Sequence, residues 1–147
     1  MRHIELNNLL MQRDTEGFFQ LDKDREAVAE FMEDVYRKSV KFASHREKVR
    51  YMLDNNYYED VYERYSEEEV DQIYELTHAY RFQFKSYMAA SKFYTDYAVK
   101  TDDKTRYLEH FPDRVSIVAL HLARGDFQVA RALAASMMEQ RLQPATP

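Results

Sequence analysis

Proline and glycine are scarce in this chain, and their positions limit its fold more than any other feature. The prolines are Pro112, Pro144 and Pro147, and the glycines are Gly17 and Gly125. Because these two residue types most disfavour a helix interior, nearly all of the sequence before Pro112 is free to form helices. The chain is therefore predicted to be mainly α-helical.

Local signals mark where several helices begin and end. The stretches "SHRE" (Ser44–Glu47) and "SEEE" (Ser66–Glu69) are capping boxes, each followed by apolar residues at helical spacing. Pro112 opens a later helix, Gly125 ends it, and Asp126 can cap the next one. We therefore predict two helices joined by a tight turn near the C-terminus.

Two segments depart from the helical pattern. Between Tyr97 and Glu109, β-branched and aromatic residues alternate roughly on both sides of Asp102 and Asp103, which predicts a short β-hairpin. Near the end of the chain, the prolines in "QPATP" favour an extended path. We expect a helical domain over residues 1–96, and then a hairpin, a helix pair and an extended C-terminal segment over residues 97–147.

The composition excludes several kinds of chemistry. No cysteine is present, so a thiol nucleophile, a redox pair and a thiolate metal site are all excluded. A net charge of −5 argues against broad nucleic-acid binding. No apolar stretch is long enough to span a membrane or resembles a signal peptide, so the cytoplasm is the expected location.

The clearest pattern typical of a metal site is "ELTH", in which Glu75 and His78 share one helix face. Di-iron bundle proteins carry this pattern on two helices, together with two further carboxylates. Here the pattern occurs once, and no other histidine has a glutamate three residues before it. We therefore predict a chance occurrence and no metal ligands.

A tyrosine cluster provides an alternative function. Tyr57, Tyr58, Tyr62 and Tyr65 lie within "NNYYEDVYERY". Tyrosine combines a large apolar ring with a polar hydroxyl, so the cluster suits either packing between helices or a surface that binds a protein. The second interpretation predicts a stand-alone helical interaction module with exposed tyrosines.

Several segments in order resemble the N-terminal region of the class Ib ribonucleotide reductase large (α) subunit. They are "HIELNN", "FFQLDKDREAV", "NNYYED", a long stretch containing "KFYTDYAVKT" and "RYLEH", and "MMEQRLQPATP". The resemblance covers nearly the whole chain, from about residue 3 to residue 147. It implies a helical domain with an abbreviated ATP-cone-like start, whose C-terminal segment leads into an α/β barrel.

The resemblance also implies an activity and partners. The family reduces ribonucleoside diphosphates to 2'-deoxyribonucleoside diphosphates, using a cysteine thiyl radical and a redox-active dithiol. A metal-containing β subunit supplies the radical, and the α chain forms a homodimer. Thr146 matches the threonine that contacts the substrate in the family. The chain stops before the family's cysteines, so we expect no cofactor in it, no catalytic residue, and no activity without the remainder of the α chain.

Overall fold

The computed structural model describes the backbone of residues 17–142 and the side chains of residues 23–141. Within this range the α-helices are α1 Gly17–Arg37, α2 His45–Asp54, α3 Glu67–Ala79, α4 Tyr87–Lys92, α5 Phe111–Ala123 and α6 Phe127–Leu142. A 3₁₀ turn at Val61–Glu63 precedes α3, and a π-helical turn at Phe93–Tyr97 continues α4. The helices belong to two compact units, one with α1 and α4 and the other with α2, α3, α5 and α6.

Side-chain caps begin α2 and α3 where the sequence predicts them. The Ser66 hydroxyl accepts the Glu69 N–H at 3.1 Å, and the Glu69 carboxylate accepts the Ser66 N–H at 3.0 Å, which completes a capping box. The Ser44 hydroxyl accepts the Glu47 N–H at 3.1 Å. Each cap satisfies an N–H group that has no partner within its helix.

The predicted β-hairpin in residues 97–109 is wrong, because the described part of the chain contains no strand or sheet. This segment folds back on itself, but only an isolated bridge joins Lys100 to Tyr107. The Tyr107 N–H donates to the Lys38 carbonyl, and its carbonyl accepts the Val40 N–H, both at 2.9 Å. The Tyr107 backbone therefore pairs with the residues that follow α1, and no ladder develops along the predicted hairpin.

Local polar contacts explain the compact turn that replaces the hairpin. The Asp103 carboxylate accepts hydrogen bonds from the Thr101 and Thr105 hydroxyls at 2.6 and 2.7 Å. These two hydrogen bonds lower the pKa of Asp103 to about 2. Such side-chain bonds compete with strand pairing for the same short segment.

Aromatic packing joins the helices of the first unit. Phe31 of α1 lies 5.5 Å from Tyr87 and 5.9 Å from Tyr94, measured between ring centroids. The neighbouring Ala27 and Val35 are fully buried on the same face of α1. These three residues are spaced four apart, so they lie on one side of α1, as expected of a buried helix face.

The core of the second unit lies among α3, α5 and α6. Ile73, Leu120 and Met138 contribute one large apolar side chain from each helix, and each is at most 1% exposed. Full burial of such a side chain contributes about 1.5–3 kcal/mol. Arg124 and Gly125 end α5 with positive φ angles of 53° and 97°, and so allow the chain to turn tightly into α6.

The Tyr65 hydroxyl connects this turn to the rest of the unit. It donates to the Leu120 carbonyl at 2.7 Å and accepts the Gly125 N–H at 2.9 Å. Tyr65→Phe should lower the free energy of unfolding by about 1–3 kcal/mol, because both backbone groups lose a buried partner. Urea denaturation measures the change. Tyr97→Phe, at a ring that is 58% exposed, is the matched control and should have little effect.

Candidate functional site

A buried network of charged and polar side chains lies within the second unit. It contains two carboxylates, one with lysine and histidine partners and the other with tyrosine and arginine partners. Its members are Lys48, Tyr58, His78, Glu109, Asp113 and Arg114. We call this set the carboxylate network. Charged side chains are rarely buried unless they are paired, so it is the most unusual chemical feature of the described residues.

Asp113 is fully buried and has partners on both carboxylate oxygens. Its Oδ2 accepts the Lys48 ammonium at 2.7 Å and the His110 backbone N–H at 2.9 Å, and its Oδ1 lies 2.8 Å from His78 Nε2. Burial alone would raise the pKa of Asp113, but the His78 hydrogen bond and the Lys48 charge outweigh it and hold the pKa well below its ordinary value. Asp113 is therefore a fixed anion at neutral pH.

Glu109 is the second buried carboxylate. It accepts hydrogen bonds from the Tyr58 hydroxyl and, at 3.0 Å, from the Arg114 guanidinium. Burial raises the pKa of the Tyr58 phenol far above its ordinary value, so Tyr58 remains a neutral donor. Lys48 and Arg114 together balance the charges of the two carboxylates, and this balance makes their burial possible.

Imidazole groups lie beside the network. The ring centroids of His45 and His78 are 4.4 Å apart, and those of His45 and Tyr74 are 5.7 Å apart. Burial, followed by the proximity of His78, lowers the pKa of His45. Ligand atoms of His45, His78 and Asp113 all lie within 4.8 Å of one another, so among the described residues this group could hold a metal ion.

The predicted site residues fall in different places. Thr146 lies outside the described residues. His78 is part of the carboxylate network through Asp113, while Glu75 is exposed and lines a cleft of about 390 Å³ with Phe127 and Arg131. Sequence reasoning missed His45, Lys48 and Asp113 as neighbours of His78. His45 and Lys48 lie on α2 and Asp113 lies on α5, whereas His78 lies on α3, so no local motif connects them to His78.

Burial contradicts the hypothesis of a tyrosine interaction face. Tyr58 and Tyr65 are 8% and 5% exposed, and their hydroxyls bond within the unit. Tyr57 and Tyr62 are half-buried, and the Arg50 guanidinium lies 4.3 Å from the Tyr62 ring. The cluster serves packing between elements of the second unit.

Two consecutive family matches cover residues 3–147 of the chain. The family model described as "Ribonucleotide reductase N-terminal" matches residues 3–82, and the model described as "Ribonucleotide reductase, all-alpha domain" matches residues 83–147. The chain belongs to the ribonucleotide reductase family. Its helical structure agrees with the description of the second domain.

The relatives to which this ribonucleotide reductase chain is similar are several times longer than the chain. It is 45% identical over 147 residues to the ribonucleoside-diphosphate reductase NrdEB subunit alpha of Bacillus subtilis, covering 98% of the chain and 13% of the relative. It is 43% identical to a second B. subtilis ribonucleoside-diphosphate reductase subunit alpha, covering 98% and 21%. The Mycoplasma pneumoniae subunit alpha is 34% identical, with 92% and 20% covered. The chain thus spans about a fifth or less of these relatives.

None of the helices in residues 17–142 is both long enough and apolar enough to cross a bilayer.

Proposed function

We propose that this chain is the N-terminal part of a class Ib ribonucleoside-diphosphate reductase α subunit. The observation that supports it most strongly is the consecutive match of two reductase domains over residues 3–147. The relatives named as α subunits support the same subunit type. The segments "KFYTDYAVKT", "RYLEH" and "QPATP" support the class Ib assignment, because they stand in the order and spacing of that class.

The proposed reaction is the reduction of ribonucleoside diphosphates to 2'-deoxyribonucleoside diphosphates. It needs a thiyl radical and a reducing dithiol, and this chain contains no cysteine. Both thiol functions therefore belong to the remainder of the α chain, and the radical comes from a metal-containing β subunit. An α homodimer is the proposed assembly. We expect the 147-residue chain to be inactive alone.

This chain's proposed contribution is structural support and one substrate contact. The carboxylate network holds α2, α3 and α5 together through ion pairs such as Lys48–Asp113. Thr146 offers a hydroxyl and a backbone N–H, both of which can donate to a phosphate or ribose oxygen. We propose that Thr146 contacts the ribonucleoside diphosphate at the entry to the barrel.

Reconstitution tests this proposal. The chain should produce no deoxyribonucleoside diphosphate alone. It should restore product formation when mixed with a polypeptide carrying the remainder of a relative's α subunit, together with a β subunit. In the active mixture, Thr146→Ala should lower kcat/KM by about tenfold to a hundredfold, because substrate positioning is lost.

Thr95→Ala, at an exposed position in the π-helical turn, is the control and should leave kcat/KM unchanged. Product formation by the chain alone would contradict the assignment of the thiols to other residues. An inactive mixture of co-purifying polypeptides would contradict the proposed reductase function.

A further inference from the structure

Three helices of the second unit bring metal-binding groups to one point. His45 begins α2, His78 lies in the last turn of α3, and Asp113 lies in the first turn of α5. One ligand atom from each residue lies within 4.8 Å of the other two. In a tetrahedral site with metal–ligand bonds of about 2.0–2.1 Å, ligand atoms are about 3.3 Å apart. To bind one ion, the ligand atoms would therefore have to approach one another by up to about 1.5 Å.

The surroundings of Asp113 favour ligation through one defined oxygen. Lys48 and the His110 N–H both donate hydrogen bonds to Oδ2, so they orient the carboxylate with Oδ1 towards His78. Hydrogen bonds to the non-ligating oxygen are the usual support of a ligating carboxylate. A bound ion would take the place of the His78–Asp113 hydrogen bond and bring in His45 as the third ligand.

The ligand types and their exposure indicate the kind of ion. Two imidazole nitrogens and one carboxylate oxygen suit zinc and its neighbours, whereas magnesium and calcium require mainly oxygen ligands. The Asp113 side chain is fully buried, while the His78 side chain is 31% exposed. The open side gives an ion access from solvent and leaves room for water as the fourth ligand.

We propose that His45, His78 and Asp113 bind Zn²⁺ or a similar first-row divalent metal ion, which would join α2, α3 and α5. Lys48 already neutralises Asp113, so the site carries little net negative charge. We therefore expect weaker binding than in closed structural sites with four protein ligands. The proposal is independent of the reductase reaction, because it concerns only groups within this chain.

Calorimetric titration of the tag-free chain with Zn²⁺ tests the site. We expect one ion per chain and a Zn²⁺-dependent rise in Tm, because an ion that binds only the folded state stabilises it. Co²⁺ should bind in the same place and give the visible absorption of a tetrahedral nitrogen–oxygen site. Mg²⁺ should produce neither effect.

Variants identify the ligands. His45→Ala should weaken Zn²⁺ binding about a hundredfold or more and abolish the Tm rise, since even loss of supporting groups costs 10–100-fold. His78→Ala should do the same. His121→Ala removes an exposed histidine of α5 and should bind like the unaltered chain. Absence of one-to-one uptake, or equal uptake by His45→Ala and the unaltered chain, would overturn the proposal.

Discussion

Asp113→Asn should lower the free energy of unfolding by about 3–5 kcal/mol, the usual cost of removing one partner of a buried ion pair. Asparagine has nearly the size of aspartate, so the loss of stability reflects the removed charge and not a cavity. The Lys48 ammonium would keep its buried position without an anion 2.7 Å away, and its side chain is only 11% exposed. Urea denaturation monitored by circular dichroism gives the change.

Glu68→Gln is the control for this substitution. Glu68 carries the same charge and lies in the first turn of α3, but it is exposed. Its neutralisation should change the free energy of unfolding by no more than about 0.5 kcal/mol. A loss below about 1 kcal/mol for Asp113→Asn would show that the carboxylate network contributes little to stability.

Acidification from pH 7 to pH 4 should destabilise the metal-free protein, with His110 as the largest contributor. Burial lowers the pKa of His110 from 6.5 to about 4, and although Asp113 opposes this change, the charge of Lys48 adds to it. Between these values the unfolded chain binds a proton that the folded chain does not, so stability falls as pH falls. This pKa difference between the unfolded and folded states corresponds to a loss of at most about 3 kcal/mol in the free energy of unfolding.

Urea midpoints measured from pH 7 to pH 4 in the presence of a chelator test this dependence. His110→Gln should remove most of the slope, because glutamine does not titrate. His121→Gln replaces an exposed histidine of α5, the helix that His110 precedes, and should keep most of the slope. A slope that is identical in the His110 variant would contradict the assignment.

Local chemistry explains which parts of the fold were predictable. Ser44 and Ser66 determine helix starts through contacts within three residues, and Gly125 marks a helix end through its own φ angle. The hairpin prediction failed because the alternation around Asp103 describes the segment alone. The structure pairs Tyr107 with the residues that follow α1, and that partner is distant in sequence.

The candidate site was less predictable for the same reason. Glu75 and His78 attract notice because they share a helix face, yet the actual partner of His78 is Asp113, 35 residues further along. Asp113 by itself is an ordinary residue of a helix first turn. Only the packing of α3 against α5 reveals it as the centre of a buried network.

The separation of Lys48 from Asp113 has a consequence for synthesis. The two residues are 65 positions apart. At a translation rate of about 5–20 residues per second, Lys48 leaves the ribosome roughly 3–13 seconds before Asp113 does. During that interval α2 and α3 emerge without α5, so Lys48 stays hydrated. The second unit therefore completes its fold only after translation has passed Asp113, and a nascent chain stalled earlier presents α3 with the core-facing side of Ile73 uncovered.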